Sequence, residues 1–160
     1  MPRGSRATRP GDTPRISATH LEAIYRQSRA EFPKECCGFI LGEGDDAELV
    51  QCENRQDKLH ALDPVEHPRT AENGYNIGGK QLLQLVRSFE SSRPARIIYH
   101  SHPKVGAYFS EEDTRAAIAA GYACDYLVVD VQDDAIVCAK LFRREGERYV
   151  EIDALPGAAI

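Results

Sequence analysis

Ala95-Arg96-Ile97-Ile98-Tyr99-His100-Ser101-His102-Pro103 and, six residues later, Ser110-Glu111-Glu112-Asp113-Thr114-Arg115-Ala116-Ala117-Ile118-Ala119-Ala120-Gly121 decide how the chain is read. The first block is β-branched and aromatic around Ile97-Ile98-Tyr99 and predicts a strand over 95–102. Pro103 disfavours helical backbone at the residue before it, which holds His102 extended at the strand's end. The second block predicts a helix over 110–120, with Ser110-x-x-Asp113 spaced to cap its start and Gly121 to stop it.

Working outward, three further strands are expected at 126–131, 135–142 and 148–152, parted by the turns Gln132-Asp133-Asp134 and Glu145-Gly146-Glu147. Upstream, Thr19-x-x-Glu22 has capping-box spacing ahead of Ile24, Tyr25 and Phe32, a helical pattern that Pro33 ends. The runs 36–41 and 48–54 read as a β-hairpin around Gly42-Glu43-Gly44-Asp45-Asp46. From 55 to 79 no period is visible, and Asp63-Pro64, His67-Pro68, Asn73-Gly74 and Gly78-Gly79 punctuate it. A loop this long in a compact domain commonly carries function, which makes it a candidate substrate-contact region with His67 in it. Residues 80–91 predict a helix with a broad apolar stripe of Leu82, Leu83, Leu85, Val86 and Phe89. The sum is an α/β fold of the α+β kind: a mixed sheet flanked by helices in α-β-α layering. One domain is expected over 16–153, with a disordered arm at 1–15 and a tail at 154–160.

A chain of 160 residues suits one core, and 42% hydrophobic with 28% charged residues lies outside the disordered classes. No stretch approaches a membrane-spanning run. Net charge is −5, and Arg3, Arg6, Arg9 and Arg15 against Asp12 concentrate the positive charge at the start, leaving an acidic body. That balance excludes a general nucleic-acid binder. The arm lacks an apolar stretch of the secretory kind. Five cysteines, at 36, 37, 52, 124 and 138, include no Cys-x-x-Cys pair and read as small buried hydrophobes in a reducing cytoplasm.

Imidazoles and carboxylates are the ligands of catalytic zinc sites, which keep three protein groups and one open position. His100 and His102 lie two apart on a strand, so their rings leave the same face and can converge on one ion. A third ligand must come from elsewhere. Asp113 in the first turn of the next helix is well placed, with Glu111 and Glu112 as rivals on charge alone, and helix geometry lets only one of the three face the metal. An ion there lowers the pKa of water from about 15.7 towards roughly 7. Glu35, opening a strand beside Cys36, Cys37 and Phe39, is the candidate base, because partial desolvation raises a carboxyl pKa. Ser110 is placed to donate to an oxyanion.

Glu35, then His100-x-His102-Pro103, six residues, and Ser110-x-x-Asp113 resembles the JAMM (MPN-plus) zinc metallopeptidase signature. The flank Glu35-Cys36-Cys37-Gly38-Phe39-Ile40-Leu41-Gly42 is similar to that family's glutamate-bearing strand, and the likeness runs from about Ile16 to Asp153. The resemblance implies an MPN/JAMM-like fold, cytidine-deaminase-like in its layering. It also implies that His100, His102 and Asp113 bind Zn2+, that Glu35 is the general acid/base and that Ser110 steadies the oxyanion. Compact bacterial members look most similar. Some of these hydrolyse the bond after the C-terminal glycine of a ubiquitin-like or sulfur-carrier protein, which is the substrate and partner the resemblance implies here. An extended tail adding as a strand at a sheet edge is the expected mode of entry.

The rival functions are a non-catalytic binding module of the same fold, whose members normally lose ligands, and a nucleobase deaminase, which needs His-x-Glu together with Pro-Cys-x-x-Cys and finds no such pair here, because the cysteine motif is absent. Locally, Ser110 also fits a helix cap, Asp113 a charge at a helix dipole, and Glu35 a surface partner of Lys34. Tyr108-Phe109 either lines the site or belongs to the core.

Overall fold

A computed structural model describes residues 13–160, so expectations for 1–12 lie outside the described residues. Helix α1 (Ala18–Glu31) is followed by strands β1 (Cys37–Leu41) and β2 (Glu48–Cys52), helices α2 (Gln56–Leu62) and α3 (Gly79–Ser88), and strand β3 (Ala95–Pro103). Helix α4 (Glu111–Ala120) and strands β4 (Asp125–Val131), β5 (Ile136–Glu145) and β6 (Arg148–Ala158) complete the order. The strands form one mixed sheet in the order β2-β1-β3-β4-β5-β6. Among the described strands only β3 and β4 run parallel, with α4 as the crossover between them. Among the described residues no helix is long and apolar enough to cross a membrane.

Period-two alternation along the strands builds two cores. Ile97, Tyr99, Leu127 and Val129 pack under α1 with Ile24 and Tyr25. Ile98, Phe39 and Tyr126 pack on the opposite face with Leu85 of α3 and Ala117 of α4. This is the expected α-β-α layering, and it puts His100 and His102 on the side of Ile98, facing α4. Gly38 permits a close inter-strand contact: a Cβ there would collide with the Tyr99 hydroxyl and the Val50 carbonyl.

Several expectations are corrected. The cap of α1 is Ser17, whose hydroxyl accepts from the His20 amide at 3.1 Å, not Thr19. The segment 55–79 is not all loop, because 56–62 folds as α2. Its start is set by Asn54 Oδ1, which accepts from the Gln56 amide at 3.0 Å. Helix α3 ends at Ser88 and buries Leu85, while Leu82, Leu83 and Val86 remain exposed. The tail expected over 154–160 is strand through Ala158, paired with β5 at Leu155↔Ala139 and Pro156↔Cys138. Side chains of α1 hold it: the Tyr25 hydroxyl donates to the Pro156 carbonyl at 2.7 Å, and Arg29 Nε donates to the Ile160 carbonyl. Cys36, Cys37 and Cys52 are buried as expected, but Cys124 and Cys138 only partly so.

Candidate metal centre

β3 delivers two imidazoles to its C-terminal end, where the N-terminus of α4 arrives. Ser110 is the N-cap of α4: its hydroxyl accepts from the Asp113 amide at 3.0 Å, and its own amide donates to Asp113 Oδ2 at 3.1 Å. This capping box folds the carboxylate of the third helical residue back towards the cap, and so towards β3. Asp113 Oδ2 lies 3.2 Å from His100 Nε2 and 3.1 Å from His102 Nε2, and the two Nε2 atoms are 3.1 Å apart. The structure brings Asp113 to the histidines and leaves its rivals outside, Glu112 pairing instead with Arg115.

The three atoms form a nearly equilateral triangle. Three vertices of a tetrahedron with metal–ligand bonds of about 2.0–2.1 Å are about 3.3–3.4 Å apart, so the donor set fits zinc after an expansion of a few tenths of an ångström. Its chemistry fits too. His102 Nδ1 lies 3.0 Å from the Gly106 carbonyl, which can only accept, so this nitrogen carries the proton and Nε2 presents a lone pair. Lone pairs crowded this closely repel unless a proton or a cation lies between them.

Glu35 completes the cluster. Its carboxyl, His100 and His102 place ligand atoms within 4.8 Å of one another, all three side chains buried. Its Oε1 is buried without a hydrogen-bond partner among the described residues. Both this triad and the Asp113 triad share the imidazoles. Asp113 is the better ligand because its oxygen touches both nitrogens and its charge is secure: burial alone would raise its carboxyl, but the two imidazoles outweigh this and hold it well below the usual carboxylate range. Glu35 is the opposite case. Burial, aided by the Asp113 charge and only partly opposed by Arg69, pushes it up to about 9. Burial likewise pushes the His100 imidazole down, keeping it neutral and able to ligate.

Backbone contacts hold Glu35 at both ends. Its amide donates to the Ala71 carbonyl at 2.7 Å and its carbonyl accepts from Asn54 Nδ2 at 2.8 Å. Lys34, the expected surface partner, pairs with Asp57 at 3.1 Å instead. All five expected residues, Glu35, His100, His102, Ser110 and Asp113, therefore meet at one end of β3. Of the aromatic pair, Tyr108 is half exposed with its ring 4.9 Å from that of His102, whereas Phe109 packs with Tyr126, Phe142 and Tyr149.

Three contributors escaped the sequence reading. Asn54 uses its whole amide: Nδ2 donates to the carbonyls of Glu35 and Gly74, and Oδ1 accepts from the amides of Gln56 and Asn76. The one legible signal was an Asn two residues before a helical turn. Gly106, at φ 97, turns its carbonyl towards His102. Tyr75 stacks on His100.

A cavity of about 580 Å³ adjoins the centre, sharing Asp113 and Tyr75 as wall. Ile98, Leu85, Ala117 and Tyr126 floor it, and His67, Arg69 and Asn73 contribute polar groups. The sheet edges do not border the imidazoles: β1 and β2 separate His100 from an added strand by about 14 Å, and β4, β5 and β6 separate it from the other edge.

Solved structures that share this fold include two from bacteria. A protein from Desulfitobacterium hafniense is 19% identical, with a TM-score of 0.58 over 86% of this chain and 88% of that one. A protein from Salinibacter ruber (strain DSM 13855) is 17% identical, with a TM-score of 0.55 over 90% of this chain and 91% of that one. Among curated proteins nothing matches. The family of prokaryotic homologs of the JAB domain matches residues 17–142, spanning Glu35, both histidines, Ser110 and Asp113, and the chain belongs to it.

Proposed function

We propose that the chain is a zinc-dependent peptidase or isopeptidase acting on the C-terminal tail of a ubiquitin-like or sulfur-carrier protein. The observation that carries this reading is the convergence of His100 Nε2, His102 Nε2 and Asp113 Oδ2 within 3.2 Å of one another beside a buried, unpartnered Glu35 oxygen. A binding module needs no such crowding of donors. A bound zinc ion supplies Lewis-acid polarisation of the scissile carbonyl and acidifies water.

The protein's own groups do the rest. Glu35 takes the proton of the attacking water and passes it to the leaving amine; burial raises its carboxyl in the metal-free chain, and a divalent cation beside it would favour the carboxylate form that this exchange needs. The Ser110 oxygen accepts from the Asp113 amide, which leaves its O–H free to donate to the carbonyl oxygen as charge develops there. Since no sheet edge reaches the centre, the tail enters along the cavity between residues 66–77 and α4. Incubating zinc-loaded protein with carriers bearing C-terminal adducts, and reading the cleavage position by intact mass, tests the reading. A chain that holds no stoichiometric zinc, and whose partner binding survives His100→Ala, is the non-catalytic module instead.

A further inference from the structure

The two imidazoles differ in what stands behind them. His102 donates its Nδ1–H to the Gly106 carbonyl at 3.0 Å, whereas Nδ1 of the fully buried His100 has no hydrogen-bond partner among the described residues. A zinc-ligating imidazole almost always donates that proton to an acceptor, which fixes the ring's orientation. At His100 an aromatic face takes that place. The Tyr75 ring lies against it with centroids 4.4 Å apart and planes inclined by 19°, and Phe109 approaches at 6.4 Å with planes at 60°.

Tyr75 is itself fixed from both sides. Asn54 Nδ2 donates to the Gly74 carbonyl at 3.0 Å, and Asn54 Oδ1 accepts from the Asn76 amide at 3.1 Å. The flanking residues are thus tied to one side chain, and the same amide also holds the Glu35 carbonyl.

We propose that Tyr75 is a positioning residue for the metal ligand His100, holding the ring by stacking where a hydrogen-bond acceptor would ordinarily hold it. The inference rests on the zinc-centre reading above. It places the role in the aromatic face and not in the hydroxyl. It also makes the segment around residue 75 part of the metal site, although that segment supplies no ligand. A stack fixes the ring's plane without adding negative charge behind it.

The test compares wild-type, Tyr75→Phe and Tyr75→Leu chains for zinc affinity, measured by competition with a chromophoric chelator, and for the visible spectrum of the cobalt(II)-loaded protein. Tyr75→Phe should bind zinc within about twofold of wild type with an unchanged cobalt spectrum. Tyr75→Leu should lose roughly tenfold in affinity and shift the cobalt bands. Proton NMR of the intact metal-free wild type adds a measurement that needs no variant to fold: the His100 ring protons should be shifted upfield by the Tyr75 ring current. Equal zinc affinity in Tyr75→Leu and wild type, an equal loss in Tyr75→Phe and Tyr75→Leu, or unshifted His100 ring protons each overturn the proposal. A wild-type chain that takes up no zinc overturns the metal centre itself, an outcome distinct from zinc binding that ignores Tyr75.

Discussion

Replacing Glu35 by Gln in the metal-free protein should stabilise it, by an amount that depends on pH. In the folded chain burial and the Asp113 charge push the Glu35 carboxyl from 4.5 up to about 9. The folded state therefore holds a proton that the unfolded chain releases above about pH 4.5. Its stability is fully present below that value and is lost as pH rises towards 9, at about 1.4 kcal/mol per pH unit. At pH 7 the wild-type chain has lost about 3 kcal/mol through this one group. Gln has nearly the same shape and no proton to release. The stability of Glu35→Gln minus that of wild type, from urea unfolding in excess chelator, should be near zero at pH 4, rise through pH 5 and 6, and reach about 3 kcal/mol at pH 7. His100 and Asp113 titrate in both chains and cancel in the difference. A difference that stays flat between pH 4 and 8 would refute the claim that Glu35 is held protonated in a desolvated site.

With zinc present, Glu35→Gln should retain one ion per chain by elemental analysis yet lose most hydrolysis. Asp113→Ala should lose the stabilisation that excess zinc gives wild type in a thermal melt, and the reverse ordering would exchange base and ligand. Ser110→Gly should cost only a few tenths of a kcal/mol in stability, because glycine is tolerated at an N-cap. Turnover should nevertheless fall about a hundredfold through loss of the hydroxyl donor; equal, small losses in both would leave Ser110 a cap alone. Gly106→Ala meets no neighbour within 4 Å, but at φ 97 it strains the backbone by roughly 1–2 kcal/mol. It should also weaken zinc binding at least about tenfold by moving the acceptor of His102. Asn54→Ala removes four hydrogen bonds, which at about 1 kcal/mol each should lower the melting temperature by roughly 10 °C.

Much of the site was legible because its residues obey local rules. His100 and His102 sit at the period of a strand, so their common face follows from counting. The limits of legibility are equally physical. Asn54, Gly74, Asn76 and Glu35 lie apart in sequence and meet only through one side-chain amide, so no local period announces them. Helix α2 was hidden because an isolated seven-residue helix has no periodic stripe and buries none of its residues. For α3 the apolar spacing says that a face exists, not that anything covers it, and Leu83 and Val86 stay exposed. The end of β6 went unseen because Leu155-Pro156-Gly157 reads as a chain terminus. Pairing with β5 and the hydrogen bonds of Tyr25 and Arg29 make it strand.

The spacing Ser110-x-x-Asp113 satisfied two demands at once, which is why it could be read as a helix start and as chemistry without contradiction. A capping box requires the third helical residue to turn its side chain back to the amide of the cap, and Asp113 Oδ2 does so at 3.1 Å. Because α4 begins where β3 ends, the turn that satisfies the helix also carries that oxygen to 3.2 Å from His100 and 3.1 Å from His102. The structural and catalytic readings of Asp113 are thus one geometry. Asp113→Asn separates them: its side-chain oxygen still accepts from the Ser110 amide, so α4 should keep its start, but the neutral amide gives up the charge that holds a divalent ion. Helix content by circular dichroism should match wild type while zinc affinity falls steeply. Equal losses of helix content and zinc would show that the carboxylate acts on the metal only by building the helix.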